Sequence, residues 1–436
     1  MADMNPITLR AMQTLIRLVS AGARKEDVSS LSVDWNAVLP LVAEQHAIPL
    51  VACALLYSPE LECPEQLRER LLDIMRAESS TNLIRRQRMM HLLQEMKAAG
   101  IDVKVVKGYA VAGCYAHPEC RGATDTDLLI DVRQEKAAID LLENKGFHVS
   151  IRGATSHHSV CQHKKYGMLE LHVALYAELV REIWFGNVAE NELVQESFVE
   201  VTDDHGSFAA MGHTDHLIFL ALHMIKHFIL GGLTLRMMLD VALYFSKYKD
   251  AVDAFRYWKV MEKLHYDQLI SSVLWNMISY GGFDQSDFPD VGSNMLAQKD
   301  AVLEDLLQGG YMGEKDKEAR YQSGMQYNRL MLLKEKSQWQ YVLFMALWKI
   351  RSGLSAMFPS AHKLYKKYPC AEKNKFLLPF VWIYHVVSFL IVNRHKIAMG
   401  RYIQWDDAVG NHIVQKRMEL FGKLGMLDRQ CWQLEK

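Results

Sequence analysis

A block of short β-type runs inside an otherwise helical chain is the feature that most limits the fold. Residues 1–100 and the residues from His213 onward carry apolar side chains at helical spacing. Between residues 101 and 205 the apolar runs are shorter, richer in β-branched residues and separated by turns. Strands are predicted there over 103–106, 128–132, 147–151, 159–162, 168–173 and 198–201, with short helices between the first two strands and over 134–144. The pattern predicts an α+β protein with a sheet core flanked by helical regions.

The same pattern divides the chain into three predicted regions. They are an N-terminal helical domain over 1–100, a sheet core over 101–205 and a C-terminal helical region over 206–436. In the first region, Asp34 is expected to cap a helix that Ile48-Pro49 ends. Further helices are predicted from Pro64 to Ala99-Gly100 and over 213–230, 234–248, 252–264, 266–280, about 320–356 and 376–398.

Composition excludes several classes of protein. Half of the 436 residues are apolar and 23% are charged, which excludes a disordered chain and a disulfide-stapled one. The formal net charge of −1 gives no bulk attraction to nucleic acid or to acidic membranes. The seven cysteines include no C-x-x-C pair, and the N-terminus lacks the features of a secretory signal. A globular protein with a cytoplasmic localisation is therefore expected.

The most apolar stretch of the chain runs over 376–392. It is at the lower limit of length for crossing a bilayer, and it contains Pro379 and His385. A buried helix is predicted, because short apolar runs belong more often to protein cores. Contact with a membrane is the alternative, and no integral membrane segment is expected.

An Asp-x-Asp pair stands at the start of the second predicted strand, in the sequence Arg121-Gly-Ala-Thr-Asp125-Thr-Asp127. Side chains two apart in a strand point to the same side, so the two carboxylates share a face. Like charges at this distance repel, and water or a cation makes them tolerable. Removing one charge is therefore expected to leave the metal-free fold unchanged or slightly stabilised. A solvated strand end is the alternative to a magnesium site.

Two further features give this pair a chemical context. Lys107-Gly108 ends the first predicted strand and begins a helix, where backbone N–H groups favour a phosphate. In the predicted strand 168–173, Glu170 and His172 are the polar residues between apolar ones and share a face. If this strand lies beside the strand of the aspartates, three carboxylates converge and could hold two metal ions.

These motifs resemble the DNA polymerase β-like nucleotidyltransferase superfamily. The order of strand, Lys107-Gly108, helix, Asp125-x-Asp127 and a carboxylate on a later strand is similar to the superfamily core. More narrowly, the chain resembles the bacterial family of uncharacterised nucleotidyltransferases, also called the nucleotidyltransferase 5 family. The likeness extends to helical segments such as Asp34-Trp35 and Leu222-His223-x-x-Lys226-His227. It also extends to C-terminal segments, and it covers most of the chain; these segments are Met357-Phe358-Pro359-Ser360, Tyr368-Pro369 and Leu378-Pro379.

The resemblance implies a mixed-sheet core and the transfer of a nucleoside monophosphate from an NTP to an acceptor, with pyrophosphate leaving. It implies that Asp125 and Asp127 bind two Mg²⁺ ions and that Glu170 completes the metal site and helps to deprotonate the acceptor hydroxyl. It also implies that Gly108 lets the backbone approach the triphosphate. Superfamily members usually carry Gly-Ser after the first strand, and here Lys107 is expected to supply the phosphate contact instead.

Several residues near the aspartate pair have two interpretations each. Lys107 binds a triphosphate, or it points into solvent or pairs with Asp102. Arg121 contacts a nucleotide phosphate, or it anchors the turn that precedes the pair. Arg236 and Asp240 stand four apart on a predicted helix, which suits an intrahelical pair or a buried network.

The histidines of interest form two groups. His223 and His227 stand four apart on a helix, a spacing that suits zinc, but no Glu follows the first of them as in H-E-x-x-H. These two residues, Lys226 and His172 are predicted to face the bound substrate, with simple packing as the alternative. The second group precedes the Glu170 strand in a predicted loop, where it is solvated or touches a phosphate or metal: His157, His158 and His163.

The function predicted first is therefore a magnesium-dependent nucleotidyltransferase that uses an NTP and a hydroxyl-bearing acceptor. The acceptor classes left open are a small molecule, a sugar phosphate, RNA and protein. A non-catalytic nucleotide-binding or partner-binding protein of the same fold is the alternative, motivated by the missing serine. A phosphohydrolase that uses the same carboxylates and the loop histidines is a third interpretation, for which no further metal ligands are spaced.

Overall fold

The computed structural model describes residues 6–335 with seven short gaps, and shorter pieces of the C-terminal part. The gaps are residues 123–124, 154–155, 186–187, 189, 196–197, 204–205 and 293–298. Beyond residue 335 the described residues are 340, 343, 375–377, 379–384, 386–388 and 412–427.

Helices make up most of the described chain. In chain order they are α1 Pro6–Arg24, α2 Trp35–Glu44, α3 Ile48–Tyr57, α4 Glu65–Ala98, α5 Tyr109–Ala112, α6 Glu135–Asn144, α7 Glu178–Val180, α8 Glu190–Leu193, α9 His213–Leu230, α10 Leu235–Tyr248, α11 Ala254–Lys263, α12 Asp267–Gly281, α13 Asp300–Gly309, α14 Lys317–Glu335 and α15 His412–Lys423. A π-helical turn, Arg181–Phe185, follows α7. Short 3-10 turns lie at Pro118–Cys120, Val132–Gln134, Gln285–Asp287, Tyr311–Asp316 and Lys375–Leu377.

Seven strands form one mixed sheet. They are β1 Val103–Val105, β2 Asp125–Ile130, β3 His148–Ser150, β4 His158–His163, β5 Gly167–His172, β6 Val199–Asp203 and β7 Gly206–Ala210. The order across the sheet is β3-β4-β5-β2-β1-β7-β6. The pairs β2–β5 and β1–β7 are parallel, and the other neighbours are antiparallel. A mixed sheet with many helices confirms the predicted α+β class.

The two faces of the sheet have different chemistry because side chains alternate along each strand. Leu128 and Ile130 of β2 and Leu169 and Leu171 of β5 point to one face, where they pack with apolar residues of α4 and α6. The aspartates of β2 and the polar residues of β5 occupy the alternate positions. The opposite face is therefore the one that carries the candidate site, and α9 lies over it.

The N-terminal and C-terminal helices share one hydrophobic core. Helix α1 contacts α2, α3, α12 and α13, and α9 contacts α10, α11 and α14. Buried side chains of α1, α3, α9, α10 and α12 belong to the same apolar cluster. The helical regions before and after the sheet are thus joined by packing. The division of the chain into three domains stays a prediction, although β7 continues the sheet past the predicted boundary at residue 205.

Two sequence expectations about helices need correction. Ile48-Pro49 begins α3, whereas the sequence analysis assigned it only the ending of the preceding helix. Proline fits the first turn of a helix, where an N–H has no intrahelical partner. Asp34 does cap α2, since its side chain accepts from the backbone N–H groups of Asn36 and Ala37. No helix was predicted from the sequence over the residues of α13.

The strand boundaries also differ from the prediction. Strand β2 begins at Asp125, three residues before the predicted start at residue 128, and therefore includes both aspartates. Strand β7, with the sequence Gly-Ser-Phe-Ala-Ala, was missed because it contains no β-branched residue. It pairs with β6, from which two residues separate it, and with the distant strand β1.

The apolar stretch 376–392 does not form a buried helix in its described part. Phe376, Phe380, Ile383 and Tyr384 are all more than half exposed, and Val381 is the buried member of the described residues of this stretch. The prediction of a buried helix is therefore wrong for these residues. Across the described parts of the chain, the helices are too short or too polar to cross a membrane.

Candidate active site

The candidate site begins with two carboxylates on neighbouring strands. In the parallel pair β2–β5, Asp127 lies directly opposite Glu170, and Asp125 lies opposite Met168. Directly opposed residues of neighbouring strands project to the same face, so the Asp127 and Glu170 side chains meet. One donor atom from each of Asp127, Glu170 and His172 lies within 4.8 Å of the other two. The convergence expected from the sequence is therefore present for two of the three carboxylates.

His172 connects the two carboxylates. Its Nε2 atom lies 3.1 Å from Oδ1 of Asp127 and 3.3 Å from Oε2 of Glu170. Burial alone would lower the pKa of the His172 imidazole, but its hydrogen bonds to Asp127 and Glu170 raise it. The hydrogen bond from His172 in turn lowers the pKa of Glu170. The site thus favours an ionised Glu170 at neutral pH.

Lys107 supplies a cation to the aspartate pair. Its Nζ atom lies 3.0 Å from Oδ2 of Asp127 and 3.6 Å from Oδ2 of Asp125. Burial alone would raise the pKa of Asp127, yet Lys107 and His172 together lower it. The pKa of Lys107 is itself raised, because the attraction of the aspartates outweighs its burial. Lys107 is thus a cation that makes the two like charges tolerable, and the effect of removing one charge stays a prediction.

Of the alternatives offered for Lys107 from the sequence, pairing with a nearby acid is present, but the acids are Asp127 and Asp125 and not Asp102. The Lys107 side chain is buried, with 9% of its surface exposed, so it does not point into solvent. Asp102 pairs with Lys104 on β1 and not with Lys107. A contact between Lys107 and a triphosphate stays a prediction.

Helix α9 carries the polar residues that face the sheet. Nε2 of His223 lies 3.4 Å from Nζ of Lys107, and the ring of His227 packs edge to face on the ring of His223 at 4.7 Å between centroids. Burial lowers the pKa of His227 to about 3, and Lys226 and Lys107 contribute to this shift. The two imidazoles therefore remain neutral beside Lys226, and their predicted contact with a substrate remains to be tested.

Two clefts meet at this helix. The first is lined by Lys107, Gly108, Arg121 and Asp125 from the sheet side, together with His223 and His227 of α9 and residues of α10. The second is lined by Asp127, Glu170 and His172, by His223 and Lys226 of α9, and by the aromatic side chains Tyr176, Trp184, Phe185 and Phe219. His223 thus borders both clefts, and the carboxylates separate a basic cleft from an aromatic one.

Arg121 is held by an acidic partner on α10. Its Nε and Nη2 atoms each donate a hydrogen bond of 2.7 Å to the Asp240 carboxylate, which also accepts from the Tyr115 hydroxyl at 2.7 Å. Arg121 therefore anchors the segment before β2, and its contact with a nucleotide phosphate stays a prediction. The intrahelical pair between Arg236 and Asp240 is wrong, because Arg236 donates to the backbone oxygen of Gly122.

Gly108 adopts a backbone conformation that favours glycine. Its φ angle is +64°, and a Cβ atom at this position would lie 3.5 Å from the backbone oxygen of Asp125. The following helix α5 has only four residues, so its dipole is small. The turn brings the backbone of β1 close to β2 and leaves room beside Asp125 in the basic cleft.

The predicted loop histidines lie partly in a strand. His158 begins β4 and is directly opposite His172 on β5. The ring of His157 lies 5.1 Å from that of His172 between centroids. His163 ends the same strand and packs against Phe147. The prediction that all three histidines lie in a loop is thus wrong for His158 and His163. His157 and His158 lie near the carboxylates, whereas His163 does not.

A comparison with models of protein families shows the family of the chain. A family model described as uncharacterised nucleotidyltransferase matches residues 32–279, which is more than half of the chain. The chain belongs to this family. No curated protein and no solved structure gives a significant match.

Family membership supports a general nucleotidyl-transfer function. The match includes both aspartates, Glu170 and the polar residues of α9, so the candidate site lies wholly inside the nucleotidyltransferase region. It ends within α12, and the C-terminal segments that were included in the resemblance lie outside it. Of those segments, residues 357–360 and 368–369 lie outside the described residues.

One part of the surroundings of the candidate site was not predicted from the sequence. Arg85 and Arg86 of α4 line a third cleft that also contains Gly108, Arg121 and Asp125. The Arg86 guanidinium lies 5.3 Å from the ring centroid of Tyr109, a cation–π contact. In the sequence these arginines belong to a long charged helix, where a solvated face is the usual interpretation. Only the long-range packing of α4 under the sheet shows that Arg86 is buried.

Proposed function

We propose that the chain transfers a nucleoside monophosphate from an NTP to a hydroxyl-bearing acceptor, with release of pyrophosphate. The observation that carries the proposal is the register of β2 and β5, which sets Asp127 against Glu170 between the basic and the aromatic cleft. Phosphoryl chemistry depends on positioning the reacting oxygens and on neutralising the charge that develops on them. Carboxylates between a cationic cleft and a second cleft suit that task.

The basic cleft is the proposed binding site for the triphosphate. Lys107 and the backbone at Gly108 lie in it, and His223 and His227 form its opposite wall. An ammonium group binds phosphate oxygens as a point charge, without the planar geometry that a guanidinium requires. Lys107 is therefore proposed to exchange part of its contact with the aspartates for the phosphates when a nucleotide binds.

The aromatic cleft is the proposed site for the acceptor. Glu170 lines this cleft, and the pKa of its carboxyl group is lowered. The carboxylate is therefore ionised and able to accept the proton of an acceptor hydroxyl. Tyr176, Trp184 and Phe219 give the cleft apolar walls that exclude water. Lys226 adds a cation on the helix side, which favours an acceptor that carries both an apolar part and an anionic group.

The donor groups fit a divalent cation. Two carboxylates and one imidazole present donor atoms within 4.8 Å of one another, and among the described residues Asp125 does not join this group. A bound divalent ion would polarise the reacting phosphate and lower the pKa of the acceptor hydroxyl. Asp127, Glu170 and His172 are the residues proposed to hold this ion. The presence of a second ion and the identity of the metal as magnesium stay predictions. The cytoplasmic localisation also stays a prediction.

The test is the transfer of label from the four α-labelled NTPs to components of a cell extract. Wild type is expected to label at least one fraction, and Asp127→Asn is expected to label none. Asp131→Asn is the matched control, because Asp131 follows the same strand but pairs with Arg133 at the surface. Labelling by Asp127→Asn at the wild-type rate would contradict the proposal.

A non-catalytic nucleotide-binding protein is the second candidate. The ion pair between Lys107 and Asp127 favours it, because it satisfies the aspartate without a metal. In that case wild type binds an NTP in a calorimetric titration but labels no fraction with any of the four nucleotides. That result would replace the transferase proposal with the binding proposal.

A further inference from the structure

Two imidazoles stand beside the carboxylates of the candidate site. In the antiparallel pair β4–β5, His158 lies directly opposite His172, and on the other side of β5 Glu170 lies opposite Asp127. All four side chains therefore project from the same face of three adjacent strands. Nε2 of His158 lies 3.9 Å from Oε2 of Glu170.

The distances between three of these donors, Asp127, Glu170 and His172, are close to those around a single metal ion. Two ligand atoms at about 2.0–2.1 Å from a tetrahedral ion are about 3.3–3.4 Å apart. Nε2 of His172 lies 3.1 Å from Oδ1 of Asp127 and 3.3 Å from Oε2 of Glu170, and His158 lies 3.9 Å from the same glutamate oxygen. Asp127, Glu170 and His172 thus form a three-donor set, and His158 approaches Glu170 as the fourth donor.

Hydrogen bonds alone do not satisfy this cluster. The Nε2 atom of an imidazole carries at most one proton, yet in His172 it faces two carboxylate oxygens. One of the two carboxylate oxygens therefore lacks the imidazole proton, and a cation bound among the three groups would satisfy it.

The oxygens of Asp127 are divided between two cations. Oδ2 lies beside Lys107, whereas Oδ1 faces His172. In the nucleotide-free protein the Lys107 ammonium thus occupies the side of the aspartate pair on which a second ion would have to bind. The geometry leaves one position for a metal, on the imidazole side.

We propose that Asp127, Glu170, His158 and His172 bind one divalent transition-metal ion of the zinc class in place of a pair of magnesium ions. Imidazole nitrogen is a preferred ligand of such ions, whereas magnesium prefers an all-oxygen octahedral shell that includes water. The inference rests on the proposed function only for the role of the ion in transfer. The binding of the ion can be measured without any reaction.

The experiment uses the full chain after treatment with a chelator. Calorimetric titration with Zn²⁺ is expected to give one ion per chain, and X-ray absorption of the zinc-loaded protein is expected to show imidazole scattering from two histidines. His158→Asn and His172→Asn should each weaken Zn²⁺ binding at least about tenfold, since loss of an outer-shell partner alone costs roughly 10- to 100-fold. His163→Asn, at the far end of the same strand, should leave binding unchanged.

The outcomes separate this inference from the proposed function. Absence of imidazole scattering in wild type, or Mg²⁺ binding as tightly as Zn²⁺, would overturn the inference even if label transfer occurs. Zinc bound through two imidazoles in a protein that transfers no label would support the inference and remove the transferase proposal. The wild-type absorption measurement needs no variant, so a misfolded variant does not leave the question open.

Discussion

At the scale of single residues, Lys107 determines how the aspartate pair is tolerated. Its position could not be predicted from the sequence, because the contact depends on how the end of β1 lies against β2. The same-face arrangement of Asp125 and Asp127 could be predicted, since it follows from the period of a strand alone. Local geometry thus gave the acidic pair, and only the tertiary structure supplies its counter-ion.

Replacing Lys107 with methionine is expected to destabilise the metal-free protein. Removing one partner of a buried ion pair leaves an uncompensated charge, which costs about 3–5 kcal/mol of unfolding free energy. Urea unfolding in the presence of a chelator measures this change. Addition of Zn²⁺ is expected to restore part of the loss, because the ion supplies positive charge to the same carboxylates.

Lys104→Met is the control for this variant. Lys104 lies on β1, three residues before Lys107, and pairs with Asp102, whose side chain is 66% exposed. Exposed ion pairs contribute about 1 kcal/mol or less, so this substitution should have a small effect. Equal losses in the two variants would show that Lys107 does not stabilise the buried aspartates.

At the scale of elements, the parts that could be predicted are those with strong local periodicity. The bounds of α9 agree with the predicted helix over 213–230 because its apolar residues recur at helical spacing. Helix α13 was not predicted, and strand β7 was not predicted because its residues have low β propensity, although only two residues separate it from its partner β6. The predicted strand 159–162 did not include His158, because His158 is a polar residue at the first position of β4.

The link between α10 and the segment before β2 gives a prediction at this scale. Asp240→Asn is expected to lower the unfolding free energy by about 3–5 kcal/mol, because Arg121 is left buried without a counter-charge. The double variant Arg121→Met with Asp240→Leu should lose less, since both charges are removed together. Urea unfolding of the single and double variants measures the difference.

The exposed pair of Arg133 and Asp131 provides the comparison for this variant. The Arg133 side chain is 86% exposed, so Asp131→Asn should have a much smaller effect than Asp240→Asn. A double variant that loses more than Asp240→Asn would show that the network stabilises the fold through the charges themselves and contradict the prediction.

At the scale of the whole molecule, the packing of helices and sheet buries several ionisable groups. Burial lowers the pKa of His216 on α9 to about 3. His227 on the same helix also has a pKa lowered to about 3. The packing of α1 and α12 into one core with α9 could not be predicted, because helical periodicity shows which face is buried but not which helix covers it.

These buried histidines predict a loss of stability in acid. A histidine with a lowered pKa in the folded state binds its proton more readily when unfolded, so stability is complete above about pH 6.5 and falls as the pH decreases towards 3. Urea unfolding at pH 7.5 and pH 5.5 is expected to show a lower free energy at pH 5.5. His172, whose pKa is raised, acts in the opposite direction.

Substitution of His216 tests the cause of this pH dependence. His216→Gln should reduce the difference between the two pH values, whereas His148→Gln, at an exposed position on β3, should leave it unchanged. If His216→Gln does not fold, a nuclear magnetic resonance titration of the wild-type imidazoles gives the same information. A His216 ring that titrates near pH 6.5 in the folded protein would contradict the prediction.

The parallel pairing of β2 with β5 also sets the order in which the site can assemble. Strands β1 and β2 are close in the chain, so Lys107 meets the aspartates across a short loop closure. Glu170, His172 and His158 reach them only after the crossover through α6, β3 and β4 is complete, and such non-local pairings form slowly. During synthesis the lysine thus accompanies the aspartates from the beginning, and we expect it to keep their charges neutralised until the remaining donors arrive.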